Sequence, residues 1–255
     1  MNLSKISSNQ RPLGKILRLP LKLIPKRAVF RILQGRLKGW KWIVGSGEHG
    51  YWLGWYEIGK RQAFETAIPE GAVVYDIGAN VGYYSLMAAA VSGPAGHVYA
   101  FEPLPRNVDF LQKHVTLNKM TDRITVFDVA VSDKSGEAAF DLGASTSMGH
   151  LAESGEIKVR QVRLDDMVTA GEIEPPDYMK VDVEGAEFEV LNGARKVLEL
   201  HKPVIFLDTH NREAHNATVE LLNELDYDIY CLDGKPLPDS KELIASPQEK
   251  NKLAD

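Results

Sequence analysis

The chain has 255 residues, of which 44% are hydrophobic and 25% charged, a composition typical of a folded globular protein with one main domain and an appendage. No apolar run approaches the roughly 18 residues of a membrane-spanning helix, so the sequence argues against a transmembrane protein. Cys231 is the single cysteine, which excludes an intramolecular disulfide and a thiolate metal cluster.

The first 47 residues are strongly basic. They hold 11 of the 30 lysines and arginines and none of the 35 acidic residues, although the whole chain has a net charge of −5. Apolar residues are interleaved with these charges from Pro12 to Gly39, a pattern that predicts one or two amphipathic helices interrupted at Pro20 and Pro25. We therefore expect residues 1–47 to form a basic N-terminal helical extension.

Several roles are open for this extension. It can pack as a cap on the acidic main domain, capture an anionic substrate, or make peripheral contact with an anionic membrane through residues 1–41. The charges recur too often for a secretory signal, and nothing in the chain resembles a nucleic-acid recognition module. We expect a cytoplasmic protein without a nucleic-acid partner, with peripheral membrane attachment as the alternative location.

The most informative segment is VVYDIGANVGYYS, residues 73–85. Its β-branched residues predict a buried strand that ends near Ile77, and Gly78 and Gly82 allow a tight turn before a helix at Tyr83–Ala90. A strand, a glycine turn and a helix form the first unit of a doubly wound sheet. Ligands of such sheets bind beyond the carboxyl ends of the strands.

The turn also indicates which kind of ligand binds there. It lacks the G-x-G-x-x-G spacing of a pyrophosphate site, and Asp76 just before it would repel phosphate. The same carboxylate suits a cationic ligand such as S-adenosylmethionine (SAM), which carries a sulfonium and an ammonium group. The residues that we expect around the methionine end of SAM are Asp76, Gly78, Ala79, Asn80 and Gly82.

Glu102 follows the next predicted strand, His97–Phe101, and Pro103 then stops that strand. Glu102 lies 26 residues after Asp76, close to the offset of about 20 residues at which a second-strand acid binds ribose hydroxyls. We therefore expect Glu102 to bind the ribose of the cofactor. Each of these acids alone is equally consistent with a turn or surface role, so the prediction depends on the pair.

Helical and strand patterns alternate along the rest of the chain and predict an α/β three-layer domain with a mostly parallel sheet. We expect this domain to span residues 48–245 and residues 246–255 to form a flexible tail. The predicted elements are helix Glu57–Ala67, helix Leu104–Asn118, strand Ile124–Val129, strand Tyr178–Val183, helix Ala186–Leu200, strand Val204–Asp208, helix Arg212–Leu225 and strand Asp228–Cys231.

Two segments depart from this alternation. Residues 130–170 predict extra short strands around a loop, which we interpret as a substrate rim. Six aromatic residues lie between positions 40 and 56, and a density of this kind favours burial in the core over substrate stacking.

A second motif, YMKVDVEGAE at residues 178–187, places Lys180, Asp182 and Glu184 on one face of a strand, because strand side chains alternate. Charges within a buried parallel strand are costly unless they are paired, so Lys180 and Asp182 are expected to compensate each other or a ligand. Glu187 is interpreted as a cap of the following helix.

The next strand ends in VIFLDTHN, in which Asp208 and His210 share one face. If the two strands are neighbours, these residues converge with Asp182 or Glu184 on one pocket. A histidine oriented by a carboxylate is the usual general base for a hydroxyl. The same residues match the ligand preferences of a divalent ion, but we favour proton transfer and assign no metal site.

Together these motifs resemble the FkbM family of SAM-dependent methyltransferases over roughly residues 55–245. The resemblance implies a Rossmann-like class I methyltransferase fold with a seven-stranded sheet, and methyl transfer to a hydroxyl, often on a sugar or a polyketide-like product. This chain has Asp208 where the family more often has Glu. The matching motifs are DIGANVGYYS (76–85), AFEP (100–103), AVSD (130–133), LDD (164–166), KVDVEGAE (180–187) and DTHN (208–211).

The resulting hypothesis is a SAM-dependent O-methyltransferase that acts on a hydroxyl of a small molecule or glycan. His210 would accept the proton, and Asp182 or Asp208 would orient it. A non-catalytic SAM-binding module and a nicotinamide-dependent oxidoreductase are the alternatives. The expected adenine-lining residues are Asp128, Val129 and Ala130, Asp182 is a further cofactor contact, and the expected catalytic set is Lys180, Asp182, Glu184, Asp208 and His210.

Overall fold

The structure is a computed structural model that describes residues 24–141, 150–152, 155 and 157–248. Its strands are β1 (Val29–Arg31), β2 (Lys41–Ile43), β3 (Val73–Ile77), β4 (His97–Phe101), β5 (Ile124–Phe127), β6 (Ala130–Val131), β7 (Gly136–Asp141), β8 (His150–Ala152), β9 (Ile157–Val162), β10 (Tyr178–Val181), β11 (Val204–Asp208), β12 (Tyr227–Cys231) and β13 (Glu242–Pro247). Its helices are α1 (His49–Leu53), α2 (Ile58–Ala67), α3 (Tyr83–Ser92), α4 (Pro105–Leu117), α5 (Leu164–Thr169), α6 (Glu187–Asn192), α7 (Arg195–His201) and α8 (Arg212–Glu224).

Seven strands form the central sheet in the order β12-β13-β11-β10-β3-β4-β5. The five strands from β11 to β5 pair in parallel, whereas β13 pairs antiparallel with both β11 and β12. The predicted α/β fold with a mostly parallel seven-stranded sheet is confirmed. Since the parallel strands share one direction, their carboxyl ends lie at one edge of the sheet, where the predicted site residues follow β3, β4, β10 and β11.

Alternating strand residues divide between two hydrophobic cores on the two faces of the sheet. On one face, Val74 and Val98 pack with Leu86 of α3 and Leu111 of α4. On the other face, the core contains Tyr75, Ile77, Met179 and Val181, packed with apolar residues of α5 to α8. Both faces are covered, which explains why the parallel strands are nearly continuous apolar runs.

The predicted helix Ala186–Leu200 is divided in the structure into α6 and α7. A Cβ atom at Gly193 would lie 2.0 Å from the carbonyl oxygen of Ser132, so the chain approaches its neighbour too closely for a larger residue. The carboxylate of Asp165 accepts hydrogen bonds from the backbone N–H groups of Lys196 and Val197, at 3.3 and 3.0 Å, and so caps the start of α7. A contact distant in sequence therefore starts a new helix.

Strand β13 was missing from the predicted elements. It fills the gap between β11 and β12, and its alternate residues Leu243, Ala245 and Pro247 are buried. The strand ends at Pro247, so the expectation that the tail starts at residue 246 is wrong by two residues. Residues 249–255 lie outside the described residues.

The extra strands predicted within residues 130–170 form a separate four-stranded sheet in the order β6-β9-β7-β8. Phe140 and Val159 of this sheet are buried together with Ala130 and Leu104, which lie at the carboxyl edge of the main sheet. The loop that we interpreted as a substrate rim falls largely on residues 142–149, which lie outside the described residues.

The described part of the basic extension contains a hairpin and one turn of 3-10 helix at Val44–Ser46 in place of the predicted amphipathic helices, which corrects the prediction. Val29–Arg31 and Lys41–Ile43 pair as an antiparallel hairpin, and Gly35 and Gly39 in the connection adopt φ angles of +83° and +89° that favour glycine. Residues 1–23 lie outside the described residues. Within the described ranges, no helix combines the length and the apolarity needed to cross a bilayer.

This hairpin packs on the main domain as a cap. Trp42 is fully buried and stacks on His114 of α4, with ring centroids 3.9 Å apart. The His114 Nε2 atom accepts the Ile43 N–H at 3.1 Å, and its Nδ1–H donates to the Val81 carbonyl oxygen at 2.8 Å. One buried imidazole therefore joins the cap to the glycine turn, and burial lowers the pKa of His114 to about 4.

We predict that His114→Ala lowers the free energy of unfolding by about 3 kcal/mol at pH 8. The substitution leaves the Ile43 N–H and the Val81 carbonyl without their hydrogen-bond partner, and it creates a cavity. The matched control is His201→Ala at an exposed position, with an expected loss below about 1 kcal/mol. Urea unfolding followed by fluorescence measures both.

The difference between wild type and His114→Ala should shrink as the pH falls. The unfolded histidine gains its proton near pH 6.5, whereas the folded one remains neutral down to about pH 4. The wild type therefore loses stability across this window and the variant does not. A pH-independent difference would contradict the assignment of His114 as a neutral buried bridge.

Candidate active site

A cavity of about 360 Å³ opens at the carboxyl edge of the parallel strands. Its size is within the usual range of small-molecule sites, about 300–1,000 Å³. Among the predicted site residues, those that line it are Gly78, Ala79, Asn80, Glu102, Val129, Ala130, Lys180, Asp182, Glu184, Asp208 and His210. The structure thus brings together residues from the ends of four parallel strands and from the turn before β6.

The glycine turn forms one wall of this cavity. Gly78 has a φ angle of +76°, and a Cβ atom there would lie only 1.9 Å from the Asp182 carbonyl oxygen. Asn80 also adopts a left-handed conformation, with φ of +51°, which asparagine tolerates better than most residues. The turn therefore has to be this tight to lie against the segment that follows β10.

Gly82 is not among the residues that line the cavity, so its predicted contact with the cofactor stays a prediction. It precedes α3 with a φ angle of +88°, and a Cβ atom there would lie 2.3 Å from Leu111 Cδ1. Its role is to let α3 and α4 approach each other. The sequence alone did not separate this packing role from ligand contact, because both require a residue without a side chain.

Glu102 lines the cavity and is held by three N–H donors. Its Oε2 accepts the Asn80 N–H at 2.8 Å, and its Oε1 accepts the Leu104 N–H at 2.9 Å and the Asn107 side-chain amide at 3.3 Å. Burial raises the pKa of Glu102 to about 7, although these donors oppose the shift. The carboxyl group is thus fixed in orientation beside the glycine turn.

Asp128 is exposed and is not among the residues that line the cavity, so its place at the adenine stays a prediction. The following residues, Val129 and Ala130, are buried and line the cavity as predicted. The strand ends earlier than the sequence suggested, at Phe127, and the turn that follows directs the Asp128 side chain to solvent. This part of the wall is therefore apolar.

Asp76 is fully buried beneath the cavity and does not line it, which corrects the expectation that it faces the ligand. It belongs to β3 itself, so its side chain lies against α3, where it accepts the Ser85 hydroxyl at 2.6 Å. Lys180 lies beside it on β10, with 3.7 Å between Nζ and Oδ1. Burial raises the pKa of Asp76, against the opposing effects of Lys180 and Ser85.

Lys180 is the buried cation at the centre of the site. Its Nζ lies 3.2 Å from Asp182 Oδ2 and 5.0 Å from the centre of the Tyr84 ring. Burial disfavours its charge, but Asp182 and Asp76 outweigh burial and raise the pKa of Lys180. Burial likewise opposes ionisation of Asp182, but Lys180 and Lys60 outweigh it and lower the pKa of Asp182 to about 2. The predicted compensation between Lys180 and Asp182 is present.

His210 lies between Glu187 and Asp182, so one of its two predicted partners, Asp182, is beside it, whereas Asp208 is not among its contacts. Its Nδ1 lies 2.7 Å from Glu187 Oε1, whereas Nε2 lies 3.6 Å from Asp182 Oδ1 and 3.5 Å from Glu184 Oε2. Burial disfavours the imidazolium, but the bond to Glu187 and the charges of Asp182 and Glu184 outweigh it and raise the pKa of His210. Glu187 is fully buried and was interpreted only as a helix cap.

Asp208 instead forms a close ion pair with Lys60 of α2, which also lies 3.6 Å from Glu57. Sequence reasoning missed Lys60, because 148 residues separate it from Asp208 and no local pattern links them. An indirect signal existed, since a buried strand that ends in an acid requires a cation from elsewhere in the fold.

Aromatic side chains close the cavity on the side of the cap. Tyr51, Tyr56, Tyr83 and Tyr84 line it, and the rings of Tyr51 and Tyr56 lie 4.3 Å apart. Burial raises the pKa of Tyr51 to about 12, so the hydroxyl is neutral. The expectation of a core role holds for the buried Trp42 and Trp52, but the tyrosines also shape the site.

Gly78→Ala should destabilise the protein by about 2–4 kcal/mol. About 1 kcal/mol is expected from the left-handed backbone and the rest from the clash with the Asp182 carbonyl. The matched control is Gly71→Ala, which has a similar φ of +86° but open space around the new methyl group. Urea unfolding of both variants separates the two contributions, and equal losses would argue against the close approach.

Comparisons with known proteins support this picture. The curated relatives include the hexuronic acid methyltransferase AglP of Haloferax volcanii, 29% identical over 157 residues that cover 61% of this chain and 63% of AglP. They also include the 2-O-methyltransferase NoeI of Sinorhizobium fredii, 28% identical over 65% of this chain and 74% of NoeI. The match thus spans slightly less than two thirds of AglP.

A solved structure shows the same fold. The Pyrococcus horikoshii protein PH0793 superposes with a TM-score of 0.52 at 14% identity, over 91% of this chain and 80% of that one. The family model described as the methyltransferase FkbM domain matches residues 76–229, which include the glycine turn, Glu102, Asp182 and His210. This match covers more than half of the sequence, and the chain belongs to the methyltransferase FkbM domain family.

Proposed function

We propose that this protein is a SAM-dependent O-methyltransferase whose acceptor is a hydroxyl of a sugar or of a sugar-bearing or natural-product-like small molecule. The observation that carries the proposal is the composition of one cavity. The glycine turn and Glu102, which follow β3 and β4, line it together with Asp182, Glu184 and His210, which follow β10 and β11. The names of AglP and NoeI, which specify a hexuronic acid and a 2-O position, support an acceptor of this class.

The residues that follow β3, β4 and β5 fit a nucleoside with a cationic tail. Gly78 leaves space that a side chain would fill, Glu102 presents a fixed carboxyl group for ribose hydroxyls, and Val129 and Ala130 give an apolar wall for a base. Asp182 supplies an ionised carboxylate to the cavity, the function that the sequence had suggested for Asp76. When bound, SAM supplies an electrophilic methyl group on a positively charged sulfur.

The residues that follow β10 and β11 act on the acceptor. Methyl transfer is a displacement, so the main task of the protein is to hold the acceptor hydroxyl at reacting distance. The hydroxyl proton has to leave, and His210, which lies beside Asp182 and Glu184 in the cavity, can accept it. Glu187 fixes the imidazole so that Nε2 faces the cavity side.

The prediction is that His210→Ala binds SAM within about twofold of wild type but loses about 100-fold or more of its transfer rate, as expected when proton removal is impaired. Calorimetry with SAM measures the first quantity. Transfer of labelled methyl to glucuronic acid and to other hexuronate and hexose glycosides measures the second. His201→Ala serves as the control, with both quantities unchanged.

Absence of SAM binding at millimolar concentration would overturn the proposal. SAM binding without methyl transfer to any hydroxyl acceptor would favour a non-catalytic SAM-binding module. Preferential binding of a nicotinamide dinucleotide would favour an oxidoreductase, which the glycine spacing of residues 78–82 disfavours.

We further propose that the cap contacts an anionic membrane. The apolar side chains of Val29, Phe30 and Leu33 are 45%, 37% and 56% exposed, and the basic residues Arg27 and Arg31 next to them are exposed as well. Exposed apolar groups among cations suit the interface of an anionic bilayer, where each Lys or Arg contributes about 1 kcal/mol. This is the described part of the segment for which the sequence suggested membrane contact.

The full chain should sediment with vesicles of phosphatidylserine and phosphatidylcholine but not with pure phosphatidylcholine. The double variant Val29→Asp, Leu33→Asp should lose at least about tenfold in binding, since it removes apolar contact and adds negative charge. Leu200→Asp is the control, because Leu200 is an exposed apolar residue, 77% accessible, that lies on α7 and outside the cap. Equal losses in both variants, or equal binding to both vesicle types, would contradict the proposal.

A further inference from the structure

Three potential metal ligands meet in the cavity. They are Asp182 and Glu184, which follow β10, and His210, which follows β11, and one ligand atom from each lies within 4.8 Å of the others. The two distances to His210 Nε2 are 3.6 and 3.5 Å. In a coordination sphere with bonds of about 2.0–2.2 Å, neighbouring ligand atoms are about 3 Å apart and opposite ones about 4.3 Å. The observed spacing is thus close to that of a bound ion.

The orientation of His210 also fits the role of a metal ligand. Because a carboxylate only accepts hydrogen bonds, the bond to Glu187 places the ring proton on Nδ1 and turns Nε2 toward Asp182 and Glu184. In the neutral ring, Nε2 carries a lone pair, and three acceptors then face one another. A positive charge between them is supplied either by a second proton on the ring or by a bound cation. A histidine whose other nitrogen donates to a buried carboxylate is the usual support for a metal-ligating imidazole.

Local contacts orient both carboxylates toward His210. Lys180 lies 3.2 Å from Asp182 Oδ2, so the other oxygen, Oδ1, is the one that faces His210. Glu184 adopts a left-handed conformation with φ of +56°, and this turn of the backbone brings its carboxylate to His210. All three residues are half-buried and line the cavity, so the remaining coordination positions face the acceptor space.

We propose that Asp182, Glu184 and His210 bind a divalent cation, and that Glu187 is the positioning residue that fixes His210. Two carboxylate oxygens and one imidazole nitrogen suit Mg²⁺ or Mn²⁺, and the set contains no thiolate that would select a softer metal. The catalytic role of the ion rests on the proposed function. An ion at this position would orient the acceptor hydroxyl and lower its pKa; the released proton would pass to solvent water, and His210 would serve as a ligand in place of the proton acceptor proposed for the metal-free site.

The test uses Mn²⁺ as a probe of the full-length protein, with free Mn²⁺ measured by electron paramagnetic resonance. Wild type should bind about one Mn²⁺ per chain. His210→Ala and Glu184→Gln should weaken binding at least tenfold, and Glu187→Gln should weaken it by about 10- to 100-fold through the lost support of the ring. Glu213→Gln, which removes the same charge from an exposed position on α8, should change nothing.

A spectroscopic signature distinguishes ligation from general attraction by negative charge. Electron spin echo modulation of the bound Mn²⁺ in wild type should show one coupled ¹⁴N nucleus, and this modulation should disappear in His210→Ala. The wild-type spectrum tests the proposal even if a variant fails to fold. Bound Mn²⁺ without ¹⁴N coupling, or no binding at millimolar Mn²⁺, would overturn the proposal and leave His210 as an imidazolium held by carboxylates.

SAM calorimetry and labelled methyl transfer in buffer with excess EDTA test the proposed methyltransferase function independently of the metal site. Undiminished transfer in EDTA would leave the methyltransferase assignment intact and overturn the metal site. Transfer that EDTA abolishes and Mn²⁺ or Mg²⁺ restores would support it.

Discussion

The arrangement of the site depends on a lysine buried in the middle of a parallel sheet. Lys180 pairs in register with Asp76 of the neighbouring strand and touches Asp182 two residues later on its own strand. A buried ammonium group is tolerated only when carboxylates surround it. Its position therefore ties together the ends of β3 and β10. Lys60 likewise joins the end of β11 to α2 through its ion pair with Asp208. These two cations place Asp76, Asp182 and Asp208.

This network also separates the ionisation states of the acids around the cavity. Asp182, next to two lysines, has its pKa lowered to about 2, whereas Glu102, with neutral N–H donors only, has a pKa of about 7. Asp182 therefore presents an ionised carboxylate next to the glycine turn, which suits a cationic ligand, whereas Glu102 presents a carboxyl group whose charge changes near neutral pH.

The N-terminal cap is part of the same construction. His114 connects the second cap strand to the carbonyl of Val81 in the glycine turn, and Tyr51 and Tyr56 extend from the cap region into the cavity wall. Trp42 and Ile43 of the hairpin are buried, whereas Val29, Phe30 and Arg31 are all exposed. The apolar and basic residues that predicted a helix thus lie in a hairpin here, and burial in its strands follows contact with the main domain and not a period of two.

The sequence by itself determined the fold class and the residues at the strand ends. Apolar runs that end in Gly78, Glu102, Asp182 and Asp208 define a parallel sheet with polar residues at one edge, since strand direction and period two are local properties. The family match is carried by the same short motifs.

Only the tertiary structure decided which neighbour each polar group has. Asp76 bonds Ser85 and Lys180 instead of the ligand, Glu187 replaces Asp208 beside His210, and Lys60 comes from a helix before the first strand of the main sheet. Gly82 and Gly193 serve contacts between distant segments. A side chain's partner depends on packing between elements far apart in the chain, and the energy of a buried charge depends on that partner, so neither can be obtained from local pattern.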